Sequence, residues 1–268
     1  MAKISNEAKQ RYNENVKEYK SRTEEFLERE KNVLKAISAE NPTDAAFKRL
    51  TLANERMNLA SYYLLLNRIS VSLLGIKNEA FLNDARKSCY QSVIYLEDVV
   101  TDVVDAPFSD YSENLEVIDS FPDEKRFLLA KKLGFTIESV EDDFGENSKW
   151  KWSFVELEGR FIAVAKNLVN LKTLIAGLDP RVEGYESRHR YVKLIKEGLQ
   201  KAADRYRQKY ELSTLRIDDF KLAIEYLGAL RRLHTILGEN DSAEVVKKKT
   251  DVWKAKMQTD EKRTAEGA

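Results

Sequence analysis

Between residues 150 and 178, apolar side chains recur at intervals that alternate three and four without a break. They are Phe154, Leu157, Phe161, Val164, Leu168, Leu171, Ile175 and Leu178. A strand alternates every two residues, so this stripe demands a helix with a coiled-coil-like seam. Residues 44–74 repeat the pattern through Leu50, Ala53, Met57, Ala60, Leu64, Asn67, Val71 and Leu74, with Asn67 the only polar member. Leu59, Leu65, Leu66, Ile69 and Leu73 add apolar surface off that stripe, so this helix should be contacted on more than one side. Shorter seams follow in 79–104, 181–210 and 218–237.

The N-terminal stretch 5–38 is more polar. Tyr12, Val16, Tyr19, Phe26, Val33 and Ile37 sit at seam positions, with Thr23 and Glu30 interrupting them. Such a helix either docks on its own domain or pairs with another chain. The interruptions favour a weak, exchangeable contact, and Tyr19 and Phe26 are the expected partner-binding residues.

Turns consume Gly, Pro and Asn, and 10 Gly with 4 Pro in 268 residues leave few of them. The reading is all-α: about seven or eight helices, arranged as antiparallel hairpins that form a bundle or an irregular α-solenoid. Asn41-Pro42 should end one helix and cap the next, Gly75 and Gly238 should close helices, and Asp179-Pro180 should stop one and start another. Pro107, Pro122, Gly134 and Gly145 mark 106–149 as irregular, with a short helix over 123–132. The expected organisation is an N-terminal helical half (1–105), an acidic connector or insertion (106–149), a C-terminal helical half (150–258) and a polar, frayed tail (259–268).

Two segments resemble each other at an offset of 163. Tyr63, Leu64, Arg68, Leu74, Gly75, Ala80 and Tyr90 recur as Tyr226, Leu227, Arg231, Leu237, Gly238, Ala243 and Trp253. Each reads as helix, glycine stop, tight turn, small residue, helix. This is similar to the tetratricopeptide-type helical hairpin, which also places a Gly five residues before a packing Ala. The family's Leu-Gly pair is replaced by Asn67-Arg68 and Leu230-Arg231, its closing Pro is absent, and the hairpins do not recur about every 34 residues.

Chemistry requires titratable groups brought together. There are two histidines. Glu186-x-x-His189 is half of a di-iron helix-bundle motif, and the second half is missing because Arg231 stands three residues before His234. Cys89, the single cysteine, has no metal-spaced neighbour and no nucleophile signature. Residues 142–147 match a calcium loop in composition only. No Gly-rich phosphate loop or nucleophile elbow occurs, so no catalytic residue, cofactor or metal is expected. In Trp150-Lys151-Trp152-Ser153-Phe154, the two tryptophans cannot both share the face of Phe154. One should cover the irregular stretch, and Trp150 and Trp152 both enter as candidate partner contacts.

The net charge is zero but unevenly spread. Residues 97–146 carry 15 acids against 4 bases. Helix 181–209 is basic, with Tyr185, Tyr191, Tyr206 and Tyr210 interleaved, so Arg188, Arg190 and Lys193 are the candidate polyanion or nucleic-acid contacts. Four acids offset these bases, and the basic helix has an acidic block to face instead. The N-terminus has no signal-peptide core, and the longest apolar stretch, 60–66, is too short to span a membrane. The expectation is a cytoplasmic, non-enzymatic scaffold for protein–protein interaction, self or other, with polyanion binding through 181–209 as the alternative.

Overall fold

Ser5 starts the first helix: its hydroxyl accepts from the Ala8 amide, and α1 runs Asn6–Ile37. Asn41 caps α2, Pro42–Leu74, through the Asp44 amide, with Pro42 in the first turn. Gly75 ends α2 at φ 66°, a left-handed conformation that costs an L side chain more than glycine. Asn78 then caps α3, Glu79–Glu97. The computed structural model describes residues 4–146 and 148–266. Helix makes up 82% of the chain, in ten α-helices, with no strand among the described residues.

The remaining helices are α4 (Ser112–Val117), α5 (Asp123–Phe144), α6 (Lys151–Asn167), α7 (Leu171–Ala176), α8 (Tyr185–Lys209), α9 (Ile217–Ile236) and α10 (Asn240–Glu266). A 3-10 turn covers Phe108–Asp110, and a π-helical turn, Tyr210–Thr214, follows α8. Four boundaries differ from expectation. The seam drawn over 150–178 breaks at Asn170, whose side chain caps α7. The helix placed after Pro180 starts at Tyr185, behind Gly184 at φ 81°. Helix α5 continues twelve residues past 132, to Phe144. One interior glycine costs about 1 kcal/mol, less than the burial of Leu133, Ile137 and Val140 returns. The tail expected to fray continues α10, where the Tyr210 hydroxyl donates to Asp260 at 2.9 Å.

The chain divides into two compact units. The first takes in the chain to Val99, Val117–Asp119 and Leu129–Lys151; the second takes in Val100–Glu116, Ser120–Leu128 and the chain from Trp152. In the first unit α2 is central. Leu52, Ala53, Met57, Leu59, Ala60 and Leu66 are fully buried around its circumference, as expected for a helix contacted on several sides. Helix α1 lies antiparallel on it, with Arg29 paired to Glu55 and Tyr19 tilted against Tyr62 at 6.0 Å. The later part of α5 joins it through Lys132, which donates to Asn54 and Asn58, and through Asp143, which accepts from Asn67 and Arg68. Asn67, the polar break in the α2 seam, also accepts from the Asn78 amide, so its position in the core is satisfied.

In the second unit α6, α8, α9 and α10 each run antiparallel to the next in that series, which sets α10 parallel to α8. The Tyr191 hydroxyl donates to the Ala165 carbonyl, Lys209 pairs with Asp219, and Lys249 pairs with Asp204. Trp253 is buried against Phe220. Gly238 turns the α9–α10 hairpin at φ 74°, as Gly75 turns α2–α3. The paired alanines differ, since Ala243 is buried and Ala80 exposed. Gly159 lets α6 approach a stacked Tyr206–Tyr226 pair, and a Cβ there would stand 2.5 Å from the Tyr226 hydroxyl oxygen and 2.7 Å from the Tyr206 ring. Gly159→Ala is therefore expected to cost about 1–3 kcal/mol, since neither ring is free to yield. Denaturant unfolding would measure it, and a neutral result would show that the tyrosines move.

Candidate interaction surface

The expected seam of α1 is the face that docks. Thr23, Phe26, Glu30 and Ile37 are buried, and Tyr12, Val16, Tyr19 and Val33 are half-buried. Phe26 is thus a core residue, while Tyr19 lies at the edge of the contact. Glu30 is no gap in the seam. Its carboxylate accepts two hydrogen bonds from the Arg56 guanidinium and one from the Tyr95 hydroxyl at 2.7 Å. A bidentate, buried pair fixes the register of α1 on α2, so the docking is specific where the bare pattern pointed to a loose one.

Both flanks of the docked helix keep apolar surface in water. On one flank Leu27 and Leu34, seven residues apart, are 37% and 43% exposed. On the other, α1 and α2 border an open groove of about 630 Å³, lined by Phe26, Tyr62, the exposed Leu65 and several charged side chains. A second hollow of about 760 Å³ shares Glu25 and Arg29 with it and continues past Glu24, Glu28, Val33 and Ala36. Leu27 and Leu34 lie off the seam, and a search confined to the seam passes over them. Their seven-residue spacing is the signal that finds them.

Trp150 is half-buried in the first unit, with the Arg86 guanidinium 4.2 Å from its ring centroid and Lys149 at 5.7 Å. Trp152 is half-buried in the second unit. Neither belongs to the lining of the α1 groove.

The basic helix is electrostatically self-contained. Arg188 pairs with Asp123, Arg190 with Glu186 and Lys193 with Glu197. Lys196 pairs with Glu239, Lys201 and Arg205 with Glu158, Arg207 with Glu211, Lys209 with Asp219 and Arg181 with Asp179. Every cation noted in 181–209 has an anion at hand, so phosphates would have to displace carboxylates already in contact.

His189 is exposed and stacked on Tyr185, and His234 contacts the Glu239 carboxylate. Burial pushes the Cys89 thiol up to about 12, so almost no thiolate is present at neutral pH. No group of three or more His, Cys, Asp or Glu able to hold a metal occurs among the described residues. No described helix is long and apolar enough to cross a membrane.

One chemically unusual group was not singled out from sequence. Lys166 is only 6% exposed, and burial lowers its ammonium to about 8, with Asp105 opposing the shift and Arg232 adding to it. Its Nζ lies 3.5 Å from the Ala106 carbonyl and 5.5 Å from the Tyr111 ring centroid. Beside it the fully buried Asn167 donates to the Thr101 and Val103 carbonyls, while Arg232 donates to Asp105 at 2.9 Å. Together these side chains pin the irregular stretch that follows α3 onto α6 and α9. The sequence signal was the polar dipeptide Lys166-Asn167 inside an otherwise apolar run.

No curated protein and no solved structure matches the chain significantly. The TP0443 family model matches residues 8–261, nearly the whole length. The chain belongs to the TP0443 family.

Proposed function

We propose that this protein is a non-enzymatic helical scaffold that mediates protein–protein interaction, with α1 as its contact element. The observation that carries this reading is that α1 is anchored by a buried ion pair yet leaves Leu27 and Leu34 exposed on one flank, while its other flank borders a groove where Leu65 of α2 is exposed. A helix serving only the core would turn polar residues outward on either side of its seam. Leu27 and Leu34 instead stand in water at coiled-coil spacing. The neutralised cations of α8 weigh against the polyanion alternative.

Replacing both exposed leucines tests this. Leu27→Glu with Leu34→Glu lies outside the core, so the melting temperature should stay within a few degrees of the parent. Proteins retained by the immobilised parent from its native lysate should fall about tenfold on the double variant, by quantitative mass spectrometry, and light scattering should report any self-association in parallel. Unchanged retention and unchanged mass would overturn the assignment of α1 as the contact element.

A further inference from the structure

We propose that the corner joining α8 to α9 is a peripheral membrane contact, which sets Leu212 and Leu215 into the interface of an anionic lipid bilayer. It lies in the second unit, apart from α1, and goes beyond the scaffold reading. Leu212 and Leu215 are 74% and 71% exposed, more than any other large apolar side chain among the described residues. Holding them there costs the fold stability. Helix α8 closes in a π-helical turn, Tyr210–Thr214, and Leu215 then takes φ 50°, a left-handed conformation that an L side chain adopts only under strain. No other non-glycine residue among those described has a positive φ. The turn is nonetheless fixed. The Leu215 amide donates to the Tyr210 carbonyl at 3.0 Å, and the buried Asp219 carboxylate accepts from the Thr214 hydroxyl at 2.7 Å and from Lys209 at 2.8 Å. The core gains nothing from this arrangement, since neither leucine is covered. A strained, rigid turn that ends in two bare leucines points to an occupant outside the chain.

The same end of the unit selects lipid as that occupant. Around the leucines, Glu211, Ser213 and Arg216 are exposed, so the corner lacks the continuous apolar patch that the core of a protein interface needs. A fluid bilayer accepts isolated apolar side chains, because its hydrocarbon shapes itself to them. Helix α6 begins at this end, since Glu158 pairs with Lys201 and Arg205 near the close of α8. Trp152, less than two turns before Glu158, is half-buried there, and tryptophan favours the headgroup layer. Helix α10 ends here as well, because Asp260 accepts from the Tyr210 hydroxyl. Over 207–221 and 256–263 the pairs Arg207–Glu211, Lys209–Asp219, Lys221–Glu261 and Lys256–Asp260 cancel. What remains in those two stretches is Arg216, Lys262 and Arg263 against Asp218, a surplus of two positive charges. The leucines supply the insertion, and the surplus biases it toward anionic headgroups.

Cosedimentation of the full chain tests this, with vesicles of phosphatidylcholine alone and of equal parts phosphatidylcholine and phosphatidylglycerol. The protein should pellet with the anionic vesicles and far less with the neutral ones. Leu212→Ser combined with Leu215→Gly should weaken that binding by about tenfold or more, the loss expected when leucine contact with hydrocarbon is removed. Leu215→Gly alone should also weaken it, yet leave the melting temperature no lower than the parent's, because glycine takes the left-handed conformation at less cost. Val245→Ser removes a similarly bare side chain near the start of α10 and should bind as the parent does. Failure to pellet with anionic vesicles, or equal binding by the double variant, would overturn the inference. A clear fall in melting temperature with Leu215→Gly would do the same, since Leu215 would then serve the fold. Lysate proteins lost from the double variant, with no vesicle binding by the parent, would place a protein on the corner instead. The scaffold reading is decided separately, by whether the Leu27 and Leu34 variant loses its partners.

Discussion

Arg56→Met is expected to lower the unfolding free energy by about 3–5 kcal/mol, because it strands the Glu30 carboxylate in the core with only the Tyr95 hydroxyl as donor. The loss comes from an uncompensated buried charge, and not from the worth of the pair itself. Removing both charges should therefore recover much of it. Glu30→Leu combined with Arg56→Met should be more stable than Arg56→Met alone, a non-additivity that a double-mutant cycle in urea would read directly. A single-variant cost under about 1 kcal/mol would mean that Glu30 reaches water when its partner is gone, and that α1 is held less firmly than its geometry implies.

Lys166→Met should act in the opposite direction. Holding an ammonium at this site lowers its pKa from 10.5 to about 8, so at neutral pH the folded state carries a penalty on the order of 3 kcal/mol. The sign follows from proton counts. Below pH 8 both folded and unfolded chains hold the proton, and the penalty is complete. Between pH 8 and 10.5 the folded chain gives the proton up while the unfolded chain keeps it, so stability rises with pH. Methionine has similar length and no charge. The variant should melt higher than the parent at pH 7, and the advantage should shrink toward pH 10. Cys89 pulls the other way, since its thiol keeps its proton to about 12 when folded against 9 when free, and its contribution fades as pH rises through that window. That term is common to both proteins and cancels in the comparison. An equal gap at pH 7 and pH 10 would show that Lys166 is not the group responsible.

Helix was legible wherever a three–four stripe ran uninterrupted. The all-α class, the capping by Asn41 and the left-handed closures at Gly75 and Gly238 all followed from local chemistry that tertiary contacts left in place. Periodicity was weaker as a guide to where helices end. Asn170 breaks the seam of 150–178 because its side chain accepts from the Lys172 and Thr173 amides, a competition that apolar spacing does not register. Gly134 reads as a breaker by its residue type, yet buried neighbours carry α5 through it. Polar residues inside seams were the least legible. Glu30 and Asn67 look like defects along one chain segment and become junctions only when Arg56, Tyr95, Asp143 and Asn78 arrive from elsewhere in the first unit. The candidate surface shows the same division: Tyr19 and Phe26 were found as seam residues, while Leu27, Leu34 and the α1–α2 groove depend on which side of α1 the rest of the unit covers.

The pairing along α8 has a kinetic corollary. A charge lying beside its opposite presents a dipole, whose field fades faster with distance than that of a lone ion and is screened beyond about 10 Å at moderate salt. A helix rich in arginine and lysine, but neutralised cation by cation, therefore does little to draw a charged molecule in from afar. Encounters there proceed at the ordinary rate of about 10⁵–10⁶ per molar per second set by diffusion and orientation.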